Sequence, residues 1–195
     1  RHSLVERGFL DNQAFLKAIS DCDLLALSCD SFNYPIGRIA IANAKSLRPD
    51  LPVCIGGVHS TLLPEYLVQT SGADYILCGE GEESLPLLLA AIEQGRGMDS
   101  VPGLAWKLPS GEIAQNPQAP LISPEKLARW GQADVFDADM SYYTALPVET
   151  SRGCPYRCQF CSVVHKGKWR PLPAEVVIER IDQVACHSRR TLLVD

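Results

Sequence analysis

Residues 21–95 repeat one pattern, in which a short apolar run is followed by a turn and then by apolar residues at helical spacing. The apolar runs are Leu24–Ser28, Val53–Ile55 and Tyr75–Cys78. Alternation of this kind is typical of parallel α/β units. We therefore predict three buried, parallel strands in the first half of the chain.

The segments between these runs are predicted to be helices. In the last segment, four apolar residues follow the i, i+3, i+4, i+7 spacing of one helical face: Leu85, Leu88, Leu89 and Ile92. Ser84 is the candidate N-cap of this helix, and Gly95 is its candidate stop. An earlier helix is predicted over Gln13–Ile19, so we expect any strand before it to lie largely outside the chain.

Turn-forming residues dominate after the last of these helices. They predict a small hairpin, Leu104–Lys107 against Glu112–Gln115, that leads into an irregular linker. We expect three regions on this basis: a first domain over residues 1–100, the hairpin and linker over 101–146, and the start of a second domain over 147–195.

The third region reads as strand, loop, helix and strand. The predicted strands are Val148–Ser151 and Thr191–Val194, with a helix over 174–187 between them. A single βαβ unit needs a larger parallel sheet to bury it. The chain also begins without methionine and ends inside an apolar run, so we expect it to be an internal fragment of a longer protein.

Charge and composition narrow the classes of function. The formal net charge is -5 without a basic stripe, which disfavours a nucleic-acid-binding protein. No stretch approaches the roughly 18 uninterrupted apolar residues of a membrane helix. The eight cysteines could pair as disulfides, but a domain of this size does not need such crosslinks. We therefore expect a cytoplasmic protein whose thiols serve as ligands.

Three cysteines fall within one short predicted loop, in the order CxxxCxxC: Cys154, Cys158 and Cys161. Thiolates this close can converge on a single metal centre, and soft sulfur ligands select zinc, copper(I) or iron-sulfur clusters. A structural zinc site uses four protein ligands, for which His165 is the nearby candidate. A cubane cluster held by three cysteines instead keeps one iron open for a substrate or cofactor, which is a catalytic arrangement.

The loop resembles the signature of the radical S-adenosylmethionine (SAM) superfamily, CxxxCx-aromatic-C, with Phe160 at the aromatic position. The resemblance implies that Cys154, Cys158 and Cys161 bind a 4Fe-4S cluster in the loop after the first strand of a partial barrel. It further implies that the open iron binds SAM beside Phe160, a neighbour of the adenine. Reductive cleavage of SAM in that family yields a 5'-deoxyadenosyl radical.

Two glycine-rich turns, Gly56-Gly57 and Gly79-Glu80-Gly81, follow predicted strands. Glycine after a parallel strand lets the backbone approach a ligand at the carboxyl edge of the sheet, where open α/β folds bind cofactors. Taken alone, these glycines are equally consistent with simple chain reversal.

The order of strand-end serine, glycine turns, proline-rich linker and cysteine triad resembles the cobalamin-dependent branch of the radical SAM superfamily, over nearly the whole chain. This implies a Rossmann-like (flavodoxin-like) cobalamin-binding domain followed by the first βαβ unit of a partial TIM-type (β/α) barrel. The implied cobalamin contacts are Ser28, Gly56, Gly57, Thr61, Gly79 and Gly81. The Asp-x-His-x-x-Gly loop that supplies a cobalt ligand in some cobalamin domains does not occur in the sequence, so either it was lost with the N-terminus or the protein uses no histidine ligand. We expect His59 to be a loop-packing residue.

The leading hypothesis is a cobalamin-dependent radical SAM enzyme that transfers methyl groups or performs a radical oxidation or cyclisation, as in the anaerobic magnesium-protoporphyrin ester cyclase group. Its partners would be a small-molecule substrate and an electron donor such as flavodoxin or ferredoxin. One alternative is a methylthiotransferase, with a second cluster on three of the N-terminal cysteines. Another is a non-catalytic cobalamin- or metal-binding module. As a fragment, the chain is expected to be inactive alone.

Overall fold

The computed structural model describes residues 12–130 and 146–185, together with the backbone of residues 191–194. The chain divides into two units, Arg1–Pro120 and Leu121–Asp195. The helices of the first unit are α1 (Gln13–Asp21), α2 (Tyr34–Leu47), α3 (Val58–Leu62), α4 (Pro64–Thr70) and α5 (Gly81–Gln94). Its strands are β1 (Leu25–Ser28), β2 (Val53–Gly56), β3 (Tyr75–Leu77), β4 (Leu104–Lys107) and β5 (Ile113–Gln115).

The first unit is built on one sheet in the order β1-β2-β3-β4-β5. Strands β1, β2 and β3 are parallel, as the sequence predicted, and Ser28 lies opposite Gly56 at their carboxyl ends. The hairpin β4-β5 adds to β3 in the antiparallel direction, so it belongs to the sheet. The predicted Rossmann-like α/β fold class is confirmed.

Helices cover both faces of this sheet. Because side chains alternate along a strand, Val53 and Ile55 point to one face while Cys54 points to the other. The first face packs against Ile41 of α2 and Leu67 of α4. The second face packs against α5. Burial on both sides explains why the predicted strands are almost continuously apolar.

The predicted end of α5 is confirmed, but its predicted start is wrong. Gly95 ends the helix in the left-handed conformation, with φ of 64°. Ser84 lies inside the helix and is buried, whereas the N-cap is Glu80. The helix starts earlier because Glu82 and Glu83 can occupy its first turn, where acidic side chains are favoured by the helix dipole.

The second unit contains a short helix followed by a βαβ unit. Its elements are α6 (Pro124–Arg129), β6 (Leu146–Glu149), β7 (Ser151–Arg152), β8 (Arg170–Pro171), α7 (Ala174–Ala185) and β9 (Thr191–Val194). Strands β6 and β9 pair in parallel, as predicted. The strand expected over 148–151 is divided between β6 and β7. Helix α6 occupies part of the linker that was expected to be irregular.

Helix α7 buries Val184 against Leu146 and Val148 of β6, which gives the second unit its own apolar core. The predicted extension of this helix to His187 and the linker residues 131–145 lie outside the described residues. The partial barrel that would surround this βαβ unit stays a prediction. Within the described ranges, no helix is long and apolar enough to cross a membrane.

Replacing Gly103 with alanine is expected to destabilise the first unit. Gly103 has φ of 72°, and a methyl group there would overlap the carbonyl oxygen of Cys78. The Cys78 N–H also donates to Gly103 O at 2.9 Å, so the two backbones cannot separate freely. We expect Gly103→Ala to lower the free energy of unfolding in urea by about 1–3 kcal/mol more than a control with the same backbone strain.

Gly111→Ala is that control, because Gly111 has φ of 91° with no atom within 4 Å of an added methyl group. Equal losses for the two variants would contradict the close approach of Gly103 to Cys78.

Candidate functional site

The carboxyl ends of β1 and β2 approach each other closely, and the approach depends on glycine. The Cys29 N–H donates to Gly56 O at 2.9 Å, which continues the parallel pairing one residue beyond the strands. Gly57 has φ of 95°, and a methyl group there would lie 2.7 Å from Cys29 O and 3.0 Å from Ser28 Oγ. Ser28, Gly56 and Gly57, all predicted site residues, are therefore adjacent at one edge of the sheet.

Two hydroxyls link this glycine turn to the turn after β3. Thr61 Oγ1 donates to Gly57 O and accepts the Gly79 N–H, both at 2.9 Å. The buried Ser60 Oγ lies 2.8 Å from Gly57 O and 2.9 Å from Leu77 O. Thr61 was predicted as a cofactor contact. In the structure its hydroxyl holds the two glycine turns together, a role that sequence reasoning missed, and its cobalamin contact stays a prediction.

The second glycine turn leaves open space. Gly79 has φ of 86°, and a methyl group there would meet only the side chain of Gln118, at 3.7 Å. Gly81 is the first residue of α5 and has nothing within 4 Å of an added methyl group. The six residues predicted for cobalamin thus lie at or just beyond the carboxyl ends of β1, β2 and β3, and four of them are glycines.

A third turn at this edge, residues 29–33, was not singled out from the sequence. Asp30 Oδ1 accepts the N–H groups of Phe32 and Asn33, and Asn33 Oδ1 accepts the Asp30 N–H. Ser31 Oγ lies 3.0 Å from Nδ1 of His59 in α3. The Asp-x-x-Asn spacing was the available signal, since both residue types favour turns closed by their own side chains.

Three of the four cysteines in the first unit are core residues. Cys29, Cys54 and Cys78 are buried and free. Burial, helped by the nearby Cys78 thiol, raises the pKa of Cys54 to about 12, and burial raises the pKa of Cys78 to about 11. Such thiols stay protonated near neutral pH and are poor metal ligands. Cys54 and Cys78 also point to opposite faces of the sheet, which disfavours a second cluster.

In the second unit, the cysteine loop is closed firmly at its base. Strand β7 pairs with β8, and Cys154 extends this pairing by two backbone hydrogen bonds. The Cys154 N–H donates to His165 O, and Cys154 O accepts the Lys168 N–H. Gly153 has φ of 87°, and a methyl group there would overlap Lys168 O. Backbone hydrogen bonds therefore fix the first cysteine of the triad.

An ion-pair network holds the strand that leads into the loop. Glu149, the last residue of β6, accepts from Arg152 Nε at 2.8 Å. The buried Arg180 of α7 places Nη1 at 3.7 Å from the Glu149 carboxylate and donates from Nη2 to Leu127 O. Breaking one partner of such a buried pair is costly, because the other charge stays buried.

The tip of the loop is exposed. Cys158 and Phe160 project into solvent, while Cys154 and Cys161 are half-buried. All three thiols of the triad are free. The described residues contain no group of three or more His, Cys, Asp or Glu side chains close enough to hold one metal ion. The three thiols of the triad therefore do not converge on a common point in the structure. Its donor chemistry, three accessible thiols on one loop, fits an iron-sulfur cluster.

A cavity of about 510 Å³ opens beside Cys154. Tyr156 and Trp169 line it, and Trp169 Nε1 donates to Ser151 Oγ at 2.8 Å, which fixes the indole. His165, the candidate fourth zinc ligand, takes part in the loop through its backbone carbonyl.

Known proteins match both units. Residues 9–89 match the B12 binding domain family. The chain is 35% identical over 130 residues to the anaerobic magnesium-protoporphyrin IX monomethyl ester cyclase of Rubrivivax gelatinosus, covering 61% of this chain and 23% of that protein. It is 32% identical over 154 residues to an uncharacterized methyltransferase of Pyrococcus horikoshii, covering 76% of this chain and 32% of that protein. The chain thus spans a third or less of these relatives.

Among solved structures, the radical SAM methyltransferase TsrM from Kitasatospora setae, with cobalamin and a [4Fe-4S] cluster bound, superposes with a TM-score of 0.68. The match has 20% identity and covers 92% of this chain and 39% of TsrM, so it supports the fold. Residues 9–89 therefore resemble the B12 binding domain family, and the predicted resemblance to the B12-dependent radical SAM enzymes is confirmed by these relatives.

Proposed function

We propose that this chain is part of an enzyme that binds cobalamin at the carboxyl edge of the first sheet and a 4Fe-4S cluster with SAM at the cysteine loop. The observation that carries the proposal is the presence, in one chain, of a B12-binding domain over residues 9–89 and a CxxxCx-aromatic-C loop directly after a βαβ strand.

The carboxyl edge of the first sheet suits a large cofactor. Ser28 is exposed at the end of β1, and the turns at Gly56-Gly57 and Gly79-Gly81 present backbone without side chains. A ligand can approach such backbone more closely than it could approach a side chain. We assign the direct contacts to these residues and give Thr61 the task of holding the two turns in register.

The cysteine loop suits an open cubane. Cys154, Cys158 and Cys161 would hold three irons, and the exposed ring of Phe160 is available to pack beside the adenine of SAM. When bound, the cluster and SAM supply a 5'-deoxyadenosyl radical and the cobalamin supplies a methyl group or a further redox centre. The chain's own part is to fix the loop base through Gly153 and the Glu149 network.

The reaction assigned to the whole protein is methyl transfer, or a radical oxidation or cyclisation, on a small molecule. An external electron donor, such as flavodoxin or ferredoxin, would reduce the cluster, and the protein would act in the cytoplasm. A methylthiotransferase is less favoured, because Cys54 and Cys78 are buried on opposite faces of the sheet. A cobalamin- or metal-binding module without catalysis is the second candidate.

The cluster assignment predicts iron content. After anaerobic reconstitution, we expect about four irons and four sulfides per chain, and loss of both with the triple variant Cys154→Ala/Cys158→Ala/Cys161→Ala, because no ligands would remain. Cys22→Ala, a half-buried thiol of the first unit, is the matched control and should keep the cluster.

Three results would contradict that assignment. About twice the iron would indicate a methylthiotransferase, zinc without iron would indicate a binding module, and a cluster retained by the triple variant would exclude the triad as its ligands.

The Thr61 assignment predicts a coupled effect on stability and cofactor binding. Thr61→Val leaves the Gly79 N–H without its partner, while the Gly57 carbonyl keeps Ser60 Oγ, and should lower the free energy of unfolding by about 1–3 kcal/mol. It should also weaken binding of hydroxocobalamin, measured by absorbance titration, because the two turns lose one of their two hydroxyl links and Ser60 alone joins them. Thr61→Ser keeps the hydroxyl and should bind as the unaltered chain does. Unchanged affinity in Thr61→Val would exclude a positioning role.

A further inference from the structure

Phe32 is an exposed aromatic residue in an unusual place. The residue is 94% exposed, although it stands on the turn that follows β1, which is hydrogen-bonded to the glycine turn. Exposed apolar residues scattered singly over a surface need no explanation. This ring, however, lies at the sheet edge where the fold binds its cofactor.

The turn that carries Phe32 is rigid. Asp30 Oδ1 accepts the Phe32 N–H at 2.7 Å and the Asn33 N–H at 2.9 Å, and Asn33 Oδ1 accepts the Asp30 N–H at 2.9 Å. Side chains at both ends thus close the turn on itself. The ring is presented by a preorganised backbone, so binding a ligand would cost little further ordering of the chain.

Three hydrogen bonds join this turn to the glycine turn. The Cys29 N–H donates to Gly56 O at 2.9 Å, and the His59 N–H donates to Cys29 O at 3.0 Å. Ser31 Oγ lies 3.0 Å from His59 Nδ1. Because Ser31 directly precedes Phe32, the position of the ring is set relative to Gly56 and Gly57.

His59 supports the turn and is not presented to the edge. It is 7% exposed, and its ring packs against Tyr34 with 4.4 Å between centroids. Nδ1 is engaged by Ser31, while Nε2 is buried without a hydrogen-bond partner in the described part of the chain. No other histidine lies in the described residues of the first unit. A histidine ligand to cobalt from the described residues of the first unit would therefore have to be His59, whose ring is packed inside.

We propose that the ring of Phe32 packs against the corrin ring of bound cobalamin, and that His59 positions the Phe32 turn without binding cobalt. The proposal rests on the proposed cobalamin function and extends it to two residues outside the predicted set. A corrin is a broad and partly apolar macrocycle, and an exposed aromatic ring on a rigid turn offers it a complementary surface. Burying a phenylalanine contributes about 1.5–3 kcal/mol, which corresponds to roughly 10–100-fold in affinity.

Absorbance titration of the chain with hydroxocobalamin tests the first part. We expect Phe32→Ala to weaken binding by at least about tenfold and Phe32→Tyr to restore most of the affinity, since the ring is kept. Leu89→Ala is the matched control, because Leu89 is 47% exposed on α5 and its side chain is not part of the edge turns. Circular dichroism of each variant checks that the fold is intact.

The outcomes separate the two proposals. If the unaltered chain does not bind hydroxocobalamin, the proposed cobalamin function is wrong, and so is the inference about Phe32. If the unaltered chain binds and Phe32→Ala binds equally well, the inference alone is overturned, and the ring serves another surface such as a second copy or a further domain. Weakening by Leu89→Ala as great as by Phe32→Ala would also overturn it.

Electron paramagnetic resonance of bound cob(II)alamin tests the second part. Protein labelled with ¹⁵N-histidine should give the same spectrum as unlabelled protein, because no histidine nitrogen would be coordinated to cobalt. A change in the nitrogen splitting on labelling would identify a histidine ligand and overturn the role given to His59.

Discussion

The close approach of the β1 and β2 carboxyl ends, at Gly57, is the constraint on which the candidate cofactor edge depends. The left-handed backbone there lets the Cys29 N–H donate to Gly56 O while Cys29 O accepts the His59 N–H. Any side chain at Gly57 would have to displace backbone atoms of Cys29, and L residues also disfavour this conformation. A single glycine thus positions the Phe32 turn, the helix α3 that carries Thr61, and through Thr61 the turn at Gly79.

The cysteine loop of the second unit also depends on a glycine that allows two backbone segments to approach each other. Another positive-φ residue, Gly153, lets backbone segments meet at the base of the loop, and the ion pairs of Glu149 hold the preceding strand. Hydrogen bonding is concentrated at that base, while Cys158 and Phe160 at the tip are exposed. In both units, a rigid strand end therefore presents accessible groups beyond it, which is where α/β folds place their chemistry.

Much of the architecture was accessible from the sequence, because buried parallel strands and an amphipathic helix leave strong periodic signals. The strands around Val53–Ile55 and the stop at Gly95 are local features, and local pattern sufficed for them. The pairing of the hairpin with β3 was not accessible, since the partner of an antiparallel strand is a tertiary choice. The prediction of Ser84 as the N-cap of α5 was wrong for a related reason, because a residue type that favours N-caps can also be buried inside a helix.

The parts of the candidate site that depend on backbone conformation could be predicted from the sequence. The parts that depend on contacts between side chains could not. The glycines at Gly56-Gly57 could be recognised in the sequence as a candidate site of close approach, whereas the hydrogen bonds from Thr61 to Gly79 and from Ser31 to His59 join residues distant in the chain. The role of the three cysteines as cluster ligands came from the resemblance to the radical SAM signature. The described loop does not bring the three thiols together as a metal site.

Hydrogen-deuterium exchange with and without hydroxocobalamin tests most directly whether the carboxyl edge binds the cofactor. We expect slower exchange confined to residues 28–33, 56–61 and 78–81, because hydrogen bonds connect these segments into one surface. Protection of other segments with these turns unchanged would contradict it.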